Sequence, residues 1–223
     1  MKYLNSVITG TGSYIPTVRV SNREFARNTF FKKDESAIET LVDEVIAKFK
    51  DITGIEERRW VTDDLCASHI AAIAAEEAIA TAGIDRETID QIIVSHNFGD
   101  VLHGTIQSDI IPSVASRVKH LLKIKNPSCI PYDIIFGCPG WVQGIIQADS
   151  YIKSGLAKRC LVIGADTLSR VIDKHDHDCM IFADGAGATI VDAVEANEKN
   201  GVLASAMMSH TEQEAFYLYL GKS

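Results

Sequence analysis

The stretch IIFGCPGWVQG, residues 134–144, contains the cysteine best placed to do chemistry. Cys138 follows an apolar run that predicts a buried strand and precedes Pro139, which suits the first turn of a helix because no N–H is needed there. This spacing predicts Cys138 as the helix N-cap, where unpaired backbone N–H groups and the helix dipole favour a thiolate. Gly137 and Gly140 leave room for a tight turn and for an approaching substrate. Two interpretations stay open on this pattern: a nucleophile, or a small residue buried for packing.

A nucleophilic cysteine usually works with a histidine. His96 and His103 border a long predicted loop, Asn97–Ile110, but loop histidines are more often exposed to solvent than catalytic. The run His175-Asp176-His177-Asp178 resembles a metal site only superficially, because adjacent side chains of a polar loop point in different directions. Gly10-Thr11-Gly12 lacks the third glycine of a dinucleotide-binding motif. We therefore expect no bound metal and no nucleotide cofactor.

Composition limits the class of protein. The 223 residues are 46% hydrophobic, enough for a full core, and no segment approaches the ~20 uninterrupted apolar residues of a membrane span. The start MKYLNSVITG reaches a glycine too early for a signal peptide, so we expect a cytoplasmic protein with its five cysteines reduced. The net charge of −8 argues against binding to nucleic acid or to an anionic membrane.

The order of elements predicts an α/β fold. Buried apolar runs alternate with helical patterns, which indicates parallel strands with right-handed helical crossovers. Two final segments, Ala188–Val194 and Val202–Met208, are predicted as neighbouring antiparallel strands that end a mixed sheet. Asp184 is expected to bond backbone N–H groups. The other predicted strands are Leu4–Tyr14, broken at its glycines, Asp90–Ser95, Tyr132–Phe136 and Arg159–Gly164, and the main helices are Ala37–Phe49, Ala67–Ala82, Ser113–Leu122 and Pro139–Lys153.

Six motifs in this order resemble the β-ketoacyl-acyl carrier protein synthase III family of the thiolase superfamily. They are ITGTGSYIP (8–16), TGIEERR (53–59), IPSVASRV (111–118), FGCPGW (136–141), YIKSGLAKRCLVIGAD (151–166) and IFADGAGA (181–188). The resemblance implies a thiolase-like mixed sheet with helices on both faces, with residues 1–223 forming a single domain that is the N-terminal half of a duplicated fold.

The resemblance also implies an activity. Family members move an acyl group from acyl-CoA or a related thioester onto a cysteine, which falls on Cys138 here, and then condense it with malonyl bound to acyl carrier protein. They need no metal and no redox cofactor, and they form homodimers. The histidine and asparagine that serve the condensation belong to the family's C-terminal half, so we expect the chain, which ends at Ser223, to be incomplete for that step.

Other differences between this sequence and the family concern the residues that bind the substrate. The tryptophan and arginine that hold the CoA adenine in well-studied members correspond here to Val45 and His177. The aromatic residue that closes the acyl pocket across the dimer corresponds to Ile111, next to Pro112. We therefore predict Ile111 and Pro112 as substrate-binding residues and an acyl group of different shape, which suits a specialised lipid or pigment pathway.

Three alternatives compete with this interpretation. The chain could be another thiolase-superfamily condensing enzyme, related to hydroxymethylglutaryl-CoA synthase. It could be a non-catalytic partner subunit of a synthase, although such subunits usually lack the cysteine. A cysteine hydrolase is a weaker hypothesis, since no histidine is clearly placed beside the Cys138 turn.

Overall fold

The computed structural model describes residues 2–31 and 36–217. Four short 3-10 helices accompany the main elements, at Asn22–Arg27, Arg86–Thr88, Leu168–Arg170 and His177–Ile181. The strands and α-helices, in chain order, are β1 (Tyr3–Tyr14), β2 (Val18–Ser21), α1 (Val42–Thr53), β3 (Glu57–Trp60), α2 (Ala67–Ala82), β4 (Gln91–His96), α3 (Val114–Leu121), β5 (Ile130–Ile135), α4 (Gly140–Lys153), β6 (Arg159–Thr167) and β7 (Asp184–Ala196).

A five-stranded mixed sheet with the order β1-β7-β6-β4-β5 forms the centre of the fold. Strands β6, β4 and β5 are parallel, while β7 runs antiparallel to both β6 and β1. The predicted α/β class and mixed sheet are therefore confirmed. The carboxyl ends of the three parallel strands and the start of β7 meet at one edge of the sheet.

Helices cover both faces of this sheet. Helices α2 and α3 pack on one face against Ile92 and Val94 of β4, and α4 packs on the other face against Ile93. Successive side chains of a strand point to opposite faces, so a strand covered on both sides is apolar without interruption. This explains why the run at 92–94 carries no polar residue.

Strand β1 runs from Tyr3 to Tyr14, so the predicted break at its glycines is wrong, but its pairing with β7 shifts register between Ile8 and Gly10. A β-carbon at Gly10 would lie 2.4 Å from the carbonyl oxygen of Ala78, and one at Gly12 would lie 2.1 Å from that of Ala74. The two glycines therefore bring the strand against the backbone of α2. They serve close packing of a helix on a strand rather than a turn.

The predicted strand Val202–Met208 does not form. Strand β7 already pairs on both sides, with β1 and with β6, so no edge of β7 is left for a later segment. Val202 instead donates one backbone hydrogen bond to Ser6 at 3.0 Å, and residues 203–208 are exposed.

A smaller apolar cluster joins α1 and the two-stranded sheet of β2 and β3 to residues 168–182. Buried Arg58 ties it together, because its guanidinium donates to Met180 O, to Val20 O and to Asn22 Oδ1. The helix predicted from Ala37 begins only at Val42. Ala37 instead forms an isolated bridge with Phe31, and the N–H of Ile38 donates to Phe30 O.

No helix among residues 2–31 and 36–217 is long and apolar enough to cross a membrane.

Candidate functional site

Cys138 lies in a four-residue turn between β5, which ends at Ile135, and α4, which begins at Gly140. Gly137 has φ of +58°, a left-handed conformation that other residues rarely adopt. A β-carbon at Gly140 would lie 1.7 Å from Ser95 Oγ, so the start of α4 rests directly on the end of β4. We call residues 136–140 the elbow. Its two glycines hold the cysteine at the carboxyl edge of the sheet.

Cys138 is exposed, whereas the other four cysteines are buried. Burial raises the pKa of Cys129 to about 11 and the pKa values of Cys160 and Cys179 to about 12, and it also raises the pKa of Cys66. These four thiols remain protonated near neutral pH and have no access to a substrate. Of the two interpretations of Cys138, the small buried residue is excluded.

The predicted helix start is displaced by one residue. The N-cap is Pro139, with φ of −79° and ψ of 1°, so Cys138 precedes the cap instead of forming it. Pro139 has no N–H, and its non-helical ψ turns the chain out of the helix just before Gly140. Cys138 still lies within one turn of the positive end of α4.

A cavity of about 270 Å³ opens beside Cys138. It is framed by the ends of β4 and β6 and by the start of β7, the position in α/β sheets where ligands bind. The residues around it are Ser95, Asn97, Gly137, Cys138, Trp141, Gly164, Ala165, Asp166, Leu168, Gly185, Ala186 and Gly187. A second cavity of about 370 Å³ adjoins it across Trp141, whose indole N–H donates to Thr189 Oγ1 at 3.3 Å.

Asn97 and Asp166 are two cavity residues that the sequence did not single out. The N–H of Asn97 donates to Asp166 Oδ1 at 3.0 Å, and Asn97 Nδ2 donates to Asp166 Oδ2 at 2.6 Å. Burial raises the pKa of Asp166 above its ordinary value, although both bonds from Asn97 oppose that shift. Their positions at the ends of neighbouring parallel strands were the available signal.

His96 is a buried structural residue and does not line the cavity. Its Nδ1 accepts the N–H of Gly99 at 2.9 Å, so its proton lies on Nε2, which contacts Asp133 Oδ2 at 3.0 Å. Asp133 also accepts the N–H groups of Val114 and Ala115, each at 2.7 Å. Burial alone would raise the pKa of Asp133, but the hydrogen bond from His96 and those two N–H groups hold it below the ordinary value.

His103 is also outside the cavity. Its exposed ring contacts Asp63 at 2.9 Å and the guanidinium of Arg170. Neither histidine that borders the predicted loop therefore reaches Cys138. The loop itself is held by Asp100, which accepts hydrogen bonds from Ser68.

The predicted substrate-binding residues Ile111 and Pro112 lie together before α3. Both are exposed, and the side chain of Arg117 donates to the carbonyl oxygen of each. Neither lines the Cys138 cavity. Their role across a dimer stays a prediction. Val45 packs against the small apolar cluster, and His177 is exposed.

Two further predictions concern the segment around β7. Asp184 accepts the N–H groups of Val61 and Ser169, each at 2.9 Å, which confirms its expected bonds to backbone. Asp176, His177 and Asp178 have potential ligand atoms within 4.8 Å of one another at the surface. That they bind no metal stays a prediction.

Known proteins are similar to this chain both around the elbow and over most of its length. The family described as 3-oxoacyl-[acyl-carrier-protein (ACP)] synthase III matches residues 132–211, which include Cys138. The synthase III structure from Aquifex aeolicus VF5 is 31% identical with a TM-score of 0.64, over 84% of this chain and 54% of that one. The synthase III structure from Pseudomonas aeruginosa PAO1 is 30% identical with a TM-score of 0.74, over 94% of this chain and 57% of that one.

A priming β-ketosynthase from the R1128 polyketide biosynthetic pathway is 25% identical with a TM-score of 0.68, over 85% of this chain and 50% of that one. The chain thus spans about half the length of the structures that it matches. The chain therefore has the thiolase-like fold of the synthase III structures, and its residues 132–211 match the 3-oxoacyl-[acyl-carrier-protein] synthase III family.

Proposed function

We propose that Cys138 accepts an acyl group from a thioester, the first half of a synthase III reaction. The observation that carries the proposal is the exposure of Cys138 at the elbow, beside a cavity at the carboxyl edge of the sheet. The other cysteines of the chain are buried. A thiol held there by two glycines can meet a substrate.

The acylation step needs a nucleophilic thiol and a hydrogen-bond donor for the oxyanion. The Cys138 thiolate attacks the thioester carbonyl carbon, the bond from that carbon to the donor sulfur breaks, and the donor leaves as a thiol after taking up a proton. Within the described part of the chain, the N–H of Cys138 has no hydrogen-bond partner. This N–H is therefore free to donate to the oxyanion formed during the attack.

The proposed second step is decarboxylative condensation with malonyl on acyl carrier protein. A carbon–carbon bond forms between the malonyl C2 and the acyl carbon, carbon dioxide leaves, and the Cys138 thiol is released. None of the described histidines lines the Cys138 cavity. For this chain, acylation is therefore the step that we propose to test.

The test is acylation followed by intact-protein mass spectrometry. Butyryl-CoA is expected to add one acyl group to the wild-type chain, and peptide mapping should place it on Cys138. Cys138→Ala should lose the addition completely. The matched control is Cys179→Ala, which removes a buried thiol that does not line the cavity and should still be acylated. Addition that persists in Cys138→Ala would contradict the proposal.

A substrate panel separates the related alternatives. A hydroxymethylglutaryl-CoA synthase type of reaction requires acetoacetyl-CoA to consume the acetylated enzyme, whereas a synthase III reaction requires malonyl on acyl carrier protein. The similar structures include 3-oxoacyl-[acyl-carrier-protein] synthase III enzymes and a priming β-ketosynthase of a polyketide pathway, so we propose that the reaction belongs to fatty acid or related lipid biosynthesis. The proposal includes acyl carrier protein and a second copy of the chain as partners.

A further inference from the structure

Asn97 and Asp166 both line the Cys138 cavity. Strands β4 and β6 are paired in parallel with Ser95 opposite Gly164, and Asn97 and Asp166 continue this register beyond the end of β4. Each oxygen of the Asp166 carboxylate accepts one hydrogen bond from Asn97. The sheet itself therefore fixes where the Asn97 side chain lies.

This pairing also decides which end of the Asn97 carboxamide is free. An ionised carboxylate can only accept hydrogen bonds, so the amide nitrogen must face Asp166 and Oδ1 must be the other end. Oδ1 lies beside the elbow, 3.5 Å from the position that a β-carbon on Gly137 would take. No group in the described part of the chain donates to this oxygen. An oriented acceptor without a partner thus lies next to the nucleophile.

The charged side chain that lines the cavity is negative, and no positive side chain among the described residues balances it there. Asp166 contributes a carboxylate, and no lysine, arginine or histidine is among the described residues that line the cavity. The neighbouring titratable groups that act on Asp166 are His96 and Asp184. A second carboxylate, brought in on an acyl group, would meet repulsion without a cation to balance it.

We propose that Asn97 is a specificity-determining residue, positioned by Asp166, that selects neutral acyl groups with a hydroxyl on carbon 2 or 3. The hydroxyl donates to Asn97 Oδ1, whereas a plain acyl chain leaves this oxygen without a donor. The inference rests on the proposed acylation of Cys138 and names the class of acyl donor for it.

The experiment compares rates of Cys138 acylation in quenched time courses read by intact mass. The donors are butyryl-CoA, 2-hydroxybutyryl-CoA, 3-hydroxybutyryl-CoA and succinyl-CoA. In the wild type, at least one hydroxy donor should react about fivefold faster than butyryl-CoA, the effect of one neutral hydrogen bond. Succinyl-CoA should react at least about tenfold more slowly than butyryl-CoA.

The variants test each member of the pair through a ratio of rates. Asn97→Leu should bring the ratio of hydroxy donor to butyryl donor to about one, since the acceptor is gone. Asp166→Asn should lower the same ratio, because a carboxamide at 166 donates as well as accepts and no longer orients Asn97. Asn28→Leu, remote from the cavity, should keep the wild-type ratio. A loss of folded protein lowers both rates and leaves the ratio unchanged.

Binding to Cys138→Ala separates this inference from the proposed function. Trp141 lines the cavity, so its fluorescence reports dissociation constants of the same donors without chemistry. Equal acylation rates for butyryl and both hydroxy donors in the wild type would overturn the inference and leave acylation standing. If no donor acylates the wild type, the proposed function fails. Tighter binding of a hydroxy donor to Cys138→Ala would then support the selectivity, and equal binding would overturn it.

Discussion

At the scale of single residues, the two glycines of the elbow answer different physical needs. Gly137 is required for its positive φ, since the space beside it is open apart from an ordinary contact with Asn97. Gly140 is required for space, because any side chain there would overlap Ser95. The first glycine turns the chain and the second seats the start of α4 on β4. Together they present Cys138 to solvent.

Gly137→Ala should therefore slow the chemistry more than it harms the fold. A left-handed alanine costs about 1 kcal/mol of unfolding free energy, and relief of that strain would move the elbow. We expect about a tenfold slower acylation of Cys138, measured by mass spectrometry, with stability followed by urea unfolding.

The matched control is Gly155→Ala. Gly155 has φ of +76° and nothing within 4 Å of an added β-carbon, so it should lose similar stability. It follows the C-terminal end of α4, far from the elbow, and acylation should keep its wild-type rate. Equal slowing in both variants would show that the effect arises from stability alone.

At the scale of elements, Asp133 joins three of them. It lies on β5, contacts His96 of β4 and accepts the first N–H groups of α3. Ser113 caps the same helix by accepting the N–H of Ser116 at 3.1 Å. The start of α3 is thereby tied to the parallel strands that carry the site. A histidine that sequence alone assigns to a loop becomes part of this buried network.

Asp133→Asn should destabilise the protein by about 2 kcal/mol near neutral pH, since it removes charge-assisted bonds to His96, Val114 and Ala115. The folded pKa of Asp133 lies below its ordinary value of 3.8. Its stabilisation is thus complete above the ordinary pKa and is lost as the pH falls through the lower folded value.

The difference in unfolding free energy between the wild type and Asp133→Asn should therefore shrink between neutral pH and about pH 3, as measured by urea titrations. Asp85→Asn is the comparison, because Asp85 is an exposed carboxylate that caps only the short 3-10 helix Arg86–Thr88. A pH-independent difference for Asp133→Asn would contradict this account of the network.

At the scale of the whole molecule, the approach of β1 to α2 determines how tightly the sheet and its helical layer pack. Gly12 faces the carbonyl oxygen of Ala74, and α2 presents small alanines along its buried side. A methyl group cannot enter this contact without moving backbone. The contact therefore fixes the spacing between the edge of the sheet and its longest helix.

Gly12→Ala should destabilise the protein by about 3 kcal/mol, because its β-carbon would lie 2.1 Å from a backbone oxygen that cannot rotate away. Gly187→Ala is the matched control in the paired strand β7, where nothing lies within 4 Å. It should change the free energy of unfolding by less than about 0.5 kcal/mol in urea titrations. Similar losses in both variants would mean that strand propensity matters here and close packing does not.

The elbow is surrounded by exposed apolar side chains. Ile135, Phe136 and Val142 are 64%, 51% and 52% exposed, which is unusual for residues of this size so close together. This exposed apolar surface adjoins the turn that holds Cys138.

Local sequence patterns were enough to predict much of the fold. Short, mainly apolar segments alternating with helices identified β4, β5 and β6, and the alanine-rich segment ended by Gly83 identified α2 with its observed bounds. Periodicity of side chains and the chemistry of turns act over a few residues, so one sequence contains them. The same local signals placed Cys138 between a strand and a helix.

Other features depend on contacts between distant residues, and only the tertiary structure decided them. The partners of β7, the continuity of β1 through Gly10 and Gly12, and the burial of His96 each require knowing what lies across a sheet or under a helix. Asn97 and Asp166 are 69 residues apart and meet only because β4 and β6 pair in parallel. By itself the sequence determined which thiol could react, and the packing of strand ends determined what surrounds it.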